Sequence, residues 1–169
     1  NTDLRGNYSI IEIFYKITKN LGSLLSQVLL PYFIKQNKTP KAKWLILSLS
    51  LIVFGFTSLF YLIPEIIIWL YDENLFQTIR VEFQIFFFAS IFSFTNAIIG
   101  YPIHAKLGII KLSNYSVMFG AIIYLIILGF TYNNLNLEFV ALSTLYCEFG
   151  VFLFRSLSIG IRLLKKEKL

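Results

Sequence analysis

The chain has 169 residues, of which 57% are hydrophobic and 14% charged, and its mean hydropathy is +0.71. Those values exclude an ordinary soluble domain and indicate an integral membrane protein. The net charge of +6 does not indicate nucleic acid, because the basic residues sit in short loops between apolar runs, as membrane topology requires.

Crossing about 30 Å of hydrocarbon takes roughly 20 helical residues. Runs of that length predict helices at 7–34, 44–63, 84–101, 114–131 and 137–161, in a single membrane domain. The first contains "YSIIEIFYKITKN", with Glu12, Lys16 and Lys19 in an otherwise lipid-compatible helix. At 100° per residue, with Glu12 at zero, Lys16 falls at about 40° and Lys19 at about 340°. Tyr8, Tyr15, Ser23, Ser26 and Gln27 lie within about 60° of that direction. A lone charge at a helix centre costs about 2.5–3.5 kcal/mol, so this face is expected to look into protein or a wet cavity. Glu12 and Lys16 stand i, i+4 and are expected to neutralise each other. Two readings stay open: a structural ion pair plus one lysine in a hydrated groove, or a cationic surface facing a substrate.

The second run, "WLILSLSLIVFGFTSLFYLI", is uncharged throughout. The following "PEIIIWLYDENLFQTIRVE" is too short and too charged to span. Its 64–76 part predicts an interfacial helix or re-entrant turn, opened by Pro64 and with Trp69 and Tyr71 at headgroup level. In the third span Thr95 and Asn96 suit either a pathway or hydrogen bonds between helices. His104, at the cytoplasmic end of that span, reads as a solvated loop residue. Pro31 and Pro102 are expected to break or kink their helices. Gly55, Gly100, Gly120, Gly129 and Gly150, with Ala97 and Ala121, read as packing points. The fifth span carries Glu148 near its middle and Arg155 seven residues later on the same face. Glu148 and Lys19 come to equal depth, which permits a pair. Arg155 either acts in the membrane or snorkels toward the basic tail 162–169.

Charge counting gives orientation. Lys35, Lys38, Lys41, Lys43, Lys106, Lys111, Arg162, Lys165, Lys166 and Lys168 fall on one side. Only Arg5 and Arg80 fall on the other, with Asp3, Glu65, Asp72, Glu73, Glu82 and Glu138. The alternation places the N-terminus outside and the C-terminus in the cytoplasm. The opening "NTDLRGNYS" has no Met, signal peptide or basic leader and predicts an odd number of upstream spans. Cys147 stands alone, ruling out an intrachain disulfide. With no zinc spacing, glycine-rich phosphate loop or nucleophile beside a base, neither catalytic residues, metal nor cofactor is expected, and the chain does not read as an enzyme.

"GNYSIIEIFYKITKNLGSLLSQVLLPYFIK" resembles the helix that opens with a "G-x-Y-S" turn and a "Y-K-I" step in polysaccharide and O-antigen flippases of the multidrug/oligosaccharidyl-lipid/polysaccharide exporter superfamily. "IIIWLYDENLFQTIRVEFQIF", "IIGYPIHAKLGIIKLSNYSVMFGAII" and "ALSTLYCEFGVFLFR" are similar, in order, to the segments that complete that family's C-terminal half. The resemblance implies an all-α integral membrane fold. Its five transmembrane helices would form most of the C-terminal six-helix bundle of a roughly twelve-helix, MATE-like transporter of the inner (cytoplasmic) membrane. It implies flipping of undecaprenyl-diphosphate-linked oligosaccharide, for O-antigen or capsule synthesis, by alternating access through a cation-lined cavity. Implied partners are that lipid-linked oligosaccharide, membrane lipid, the N-terminal helices of the parent chain and a polysaccharide polymerase. Lys16 matches the lysine of the "Y-K-I" step, whereas Glu12 departs from the cationic pattern. The candidate cavity residues are Lys16, Lys19, Glu12, Tyr15, Gln27 and Asn96, with Glu148 and Arg155 for coupling or charge balance. A cation-coupled multidrug exporter and a non-transporting scaffold for polysaccharide assembly are the competing functions.

Overall fold

The computed structural model describes residues 2–35, 55–56, 59, 62–66, 68–69, 73–132 and 136–166. Among these residues the chain is helical without strands. α1 is Thr2–Lys35, α2 is Glu73–Ile98, α3 is the single turn His104–Leu107, α4 is Ile110–Thr131 and α5 is Leu137–Lys166. A π-helical turn, Ile99–Ile103, joins α2 to α3. Three stretches are long and apolar enough to cross a membrane: Phe76–Leu107, Ile110–Thr131 and Leu137–Leu164. The chain is therefore an all-α protein with membrane-spanning character. α1 is longer than any of them but is not in this set, since Lys19, Asn20, Ser23, Ser26 and Gln27 dilute its leucines.

α2 lies at the centre, packed on α1 along one side and on α5 along the other, and α5 in turn packs on α4. Its buried positions Phe76, Ile79, Phe83, Phe86 and Phe87 recur every three or four residues, as an inward helical face must. Phe14 meets Phe83 and Tyr15 meets Phe86 edge to face, with centroids 6.2 and 5.8 Å apart, so α1 and α2 run parallel. Ile79 and Phe86 cluster with Ala141, and Ile99 and Ile103 with Phe152 and Ile159, so α5 runs parallel to α2. Ser116 meets Arg155 and Gly120 meets Val151 and Cys147, which sets α4 antiparallel to α5. Only Ser113, Ser116 and Gly120 of α4 are buried; Val117 and Leu125 are exposed toward a groove beside α1, and Met118, Ile122, Ile126 and Phe130 form an exposed, lipid-compatible surface.

Lipid tails are as apolar as leucine, so helices in a membrane gain by close backbone approach at small residues. A Cβ on Gly120 would meet the Val151 methyl and the Cys147 sulfur and carbonyl; one on Gly150 would meet Ile123. Gly22, overlooked in the sequence, approaches Ala97 and Phe94 in the same way, while Gly55 and Gly129 have open space. Gly120→Ala is accordingly expected to lower stability in detergent by about 1–3 kcal/mol, read as a lowered unfolding temperature. Gly129→Ala, its control with open space in the same helix, is expected to raise stability by about 0.5–1 kcal/mol, the helical advantage of alanine over glycine.

Several expectations are corrected. The second predicted span falls largely outside the described residues. The stretch assigned to an interfacial element through residue 76 instead contributes Glu73–Phe76 to α2, and Arg80 and Glu82 belong to α2 as well. The charges are tolerated because Glu73 and Arg80 face outward while Phe76 and Ile79 turn inward. Pro31 does not end α1, which continues to Lys35. Pro102 does not break the third span either. It lacks the N–H that Ile98 would accept in an α-helix, and the chain widens into the π turn and resumes as α3. Gly108, at φ +71°, then reverses the chain into α4, with the Ile109 N–H on the His104 carbonyl at 2.9 Å. Asn136 caps α5 by accepting the Phe139 N–H at 2.8 Å.

Candidate functional site

Because α1 packs on α2 and α4 on α5, a groove of about 950 Å³ is left between α1 and α4, floored by α2 and α5. α1 lines it with Lys19, Ser23, Ser26 and Gln27, and α4 with Ser113, Asn114 and Tyr124. Asn96 of α2 and Cys147, Glu148 and Arg155 of α5 form the floor.

The floor is a connected polar network. The Glu148 carboxylate accepts the Tyr15 hydroxyl at 2.6 Å on Oε1 and Asn96 Nδ2 at 3.0 Å on Oε2. Asn96 Nδ2 also donates to the Glu148 carbonyl at 2.9 Å, which fixes the amide with Oδ1 turned from the carboxylate. That oxygen is buried and has no hydrogen-bond partner in the described structure. Arg155, 9% exposed, donates Nε to Ser116 Oγ at 2.8 Å, Nη1 to the Asn96 carbonyl and Nη2 to the Ser113 carbonyl at 3.5 Å. Its guanidinium lies over Gly100, where any Cβ would overlap it. No carboxylate among the described residues lies within ion-pair distance of Arg155; the ion pair found among those residues is Glu12 with Lys16 on α1, at 3.0 Å.

Below this network His104 is fully buried, with Nδ1 3.0 Å from the Ile99 carbonyl and Nε2 2.8 Å from Ser158 Oγ. It is not the solvated loop histidine that its place in the sequence suggested. The π turn keeps it inside the helical stack and its ring engages a carbonyl of that turn. Ser158 in turn donates to the Arg155 carbonyl at 2.8 Å, linking the histidine to the stretch of α5 that carries the guanidinium.

Of the residues singled out from sequence, the structure brings Lys19, Gln27, Asn96, Glu148 and Arg155 to the groove, and Tyr15 to Glu148 beside it. Glu12 and Lys16 pair with each other along α1, away from the groove lining, and the lysine side chain is 62% exposed. Lys19 does not reach Glu148; its ammonium sits 5.6 Å from the centre of the Tyr15 ring, and Tyr15 takes the carboxylate. Arg155 does not snorkel to the tail but turns across α2 and α4. Thr95 bonds within its own helix, to the Ile91 carbonyl, so only Asn96 bridges to α5. Sequence reasoning missed Ser113 and Ser116, which hold Arg155. Their i, i+3 spacing in the first turns of an apolar helix was the available signal, since an intramembrane arginine needs such acceptors.

No family model, curated protein or solved structure matches the chain.

Proposed function

We propose that this chain forms the wall and floor of a membrane translocation path for an amphiphile with an anionic, sugar-bearing headgroup. The substrate in this reading is a lipid-linked oligosaccharide, as the sequence resemblance implies, and the path belongs to a MATE-like bundle of the inner membrane. The observation that carries it is Arg155: a guanidinium at the foot of an open groove, tethered by neutral acceptors and with no carboxylate at ion-pair distance among the described residues. A buried cation in that state is costly, and intramembrane charges of this kind belong to substrate or ion paths. Lys19 adds an exposed cation on the α1 wall. The headgroup travels in the groove while its lipid tail stays against the apolar outer face of α4. In this reading the N-terminus lies outside and the C-terminus in the cytoplasm, an orientation that rests on the charge count; the relative courses of the helices suit either orientation.

A cation exporter is the second reading, and Glu148 on the groove floor is the observation that favours it. The two separate in proteoliposomes holding the full-length protein, loaded either with a fluorescent undecaprenyl-diphosphate oligosaccharide or with a cationic dye. Lys19→Ala is expected to slow movement of the lipid roughly two- to fivefold, the worth of an exposed charge. Unchanged lipid movement together with export of the dye assigns the groove to cations instead.

A further inference from the structure

The two ends of the groove floor offer opposite chemistry. Around Glu148 it presents acceptors: a carboxylate has about four lone-pair sites, of which Tyr15 and Asn96 occupy two. Asn96 Oδ1 adds a buried acceptor without a donor, and such atoms call for one. Two helical turns along α5, roughly 10 Å away, Arg155 presents a cation with five N–H groups, three of them engaged. A ligand that satisfies both ends is bipolar, with donors at one end and an anion at the other.

Resting on the function proposed above, we infer that the groove holds its ligand lengthwise along α5, with sugar hydroxyls on Glu148 and Asn96 and the diphosphate on Arg155. Hydroxyls suit the acceptor end better than an ammonium does, because Lys19 already stands there over the Tyr15 ring and would repel a second cation. Burial of Asn96, only 4% exposed, gives this end a fixed geometry, so it selects for the sugar and not merely for charge. Glu148 and Asn96 are thus specificity residues, and Arg155 is the common anchor for any diphosphate.

Cys147 borders Glu148 in the groove and reports occupancy. In the full-length protein, the rate at which N-ethylmaleimide labels Cys147 is measured against farnesyl diphosphate and against farnesyl diphosphate bearing one glucose. In wild type the glucosylated lipid is expected to protect at about tenfold lower concentration, the effect of one hydrogen bond to a charged group. Glu148→Gln keeps the side-chain shape and an acceptor for Tyr15 and is expected to reduce that ratio to roughly twofold, because the bond is then to a neutral group. Asn96→Ala, on a different helix, is expected to reduce it likewise, so a folding failure of either variant leaves the other to decide. Equal protection by the two lipids in wild type, or a tenfold ratio that survives in a folded variant, overturns the sugar assignment and leaves the transport reading standing. Protection by neither lipid removes both.

Discussion

Replacing Arg155 by methionine is expected to reduce lipid translocation at least a hundredfold while leaving the stability in detergent within about 1.5 kcal/mol of wild type. The two halves of that expectation come from different balances. On the stability side, the guanidinium makes two good hydrogen bonds and one long one to neutral acceptors. Bonds to a charged group contribute about 1.5–3 kcal/mol each. Against them stands the cost of burying a charge, several kcal/mol even after relaxation, with no carboxylate at ion-pair distance among the described residues and Glu148 two helical turns away. The terms nearly cancel, and methionine retains most of the apolar stem. Ser116 keeps its own bond to the Ser113 carbonyl at 2.6 Å, so little is left orphaned on α4. On the functional side nothing replaces the charge, and a hundredfold loss corresponds to about 2.7 kcal/mol, within reach of the anion contacts that disappear. Unfolding temperature in detergent and translocation per folded molecule are the two measurements. A strongly destabilised protein that still transports at the wild-type rate would falsify the assignment and make Arg155 a structural brace.

The contrast between what could be read from the residues and what could not follows helix geometry. Placing Lys19, Ser23, Ser26 and Gln27 on one face of α1 needs only the angular step of a helix, a local property, and that face does line the groove. The same arithmetic placed Glu148 and Arg155 on one face of α5. Depth arithmetic was weaker, because equal depth leaves rotation about the axis free. Tyr15 and Lys19 are one turn apart, and the rotation that packs Tyr15 on Phe86 hands Glu148 to the phenol and leaves the lysine over its ring. His104 was misread because Lys106 and Pro102 beside it look like a loop. The widened turn that keeps the helix going depends on how one missing N–H is accommodated, which composition does not encode. The early start of α2 was legible in principle, since Phe76, Ile79 and Phe83 already follow a helical period. The charges of Glu73, Arg80 and Glu82 drew attention from it.

Gly100 offers the sharpest test of the site's geometry, since a single methyl group there is expected to change sign in its effect. In wild type a Cβ at this position overlaps the guanidinium of Arg155. The far end of a long side chain normally swings aside at little cost, but this one is held by Ser116 on α4 and by the Asn96 carbonyl on α2. Displacing it loses charge-assisted bonds, so Gly100→Ala is expected to destabilise by about 2–3 kcal/mol. With Arg155→Ala already in place the obstruction is gone. Alanine then gains what it has over glycine in a helical backbone, about 0.5–1 kcal/mol, and the same substitution becomes stabilising. A double-mutant cycle read by unfolding in detergent should therefore give a coupling near the upper end of the usual range, about 3 kcal/mol. Additive effects would mean that the guanidinium does not rest on Gly100 in the folded protein. It would then be free to leave α2, and the Asn96 carbonyl, the π turn and the anchor proposed for the diphosphate would no longer belong to one unit.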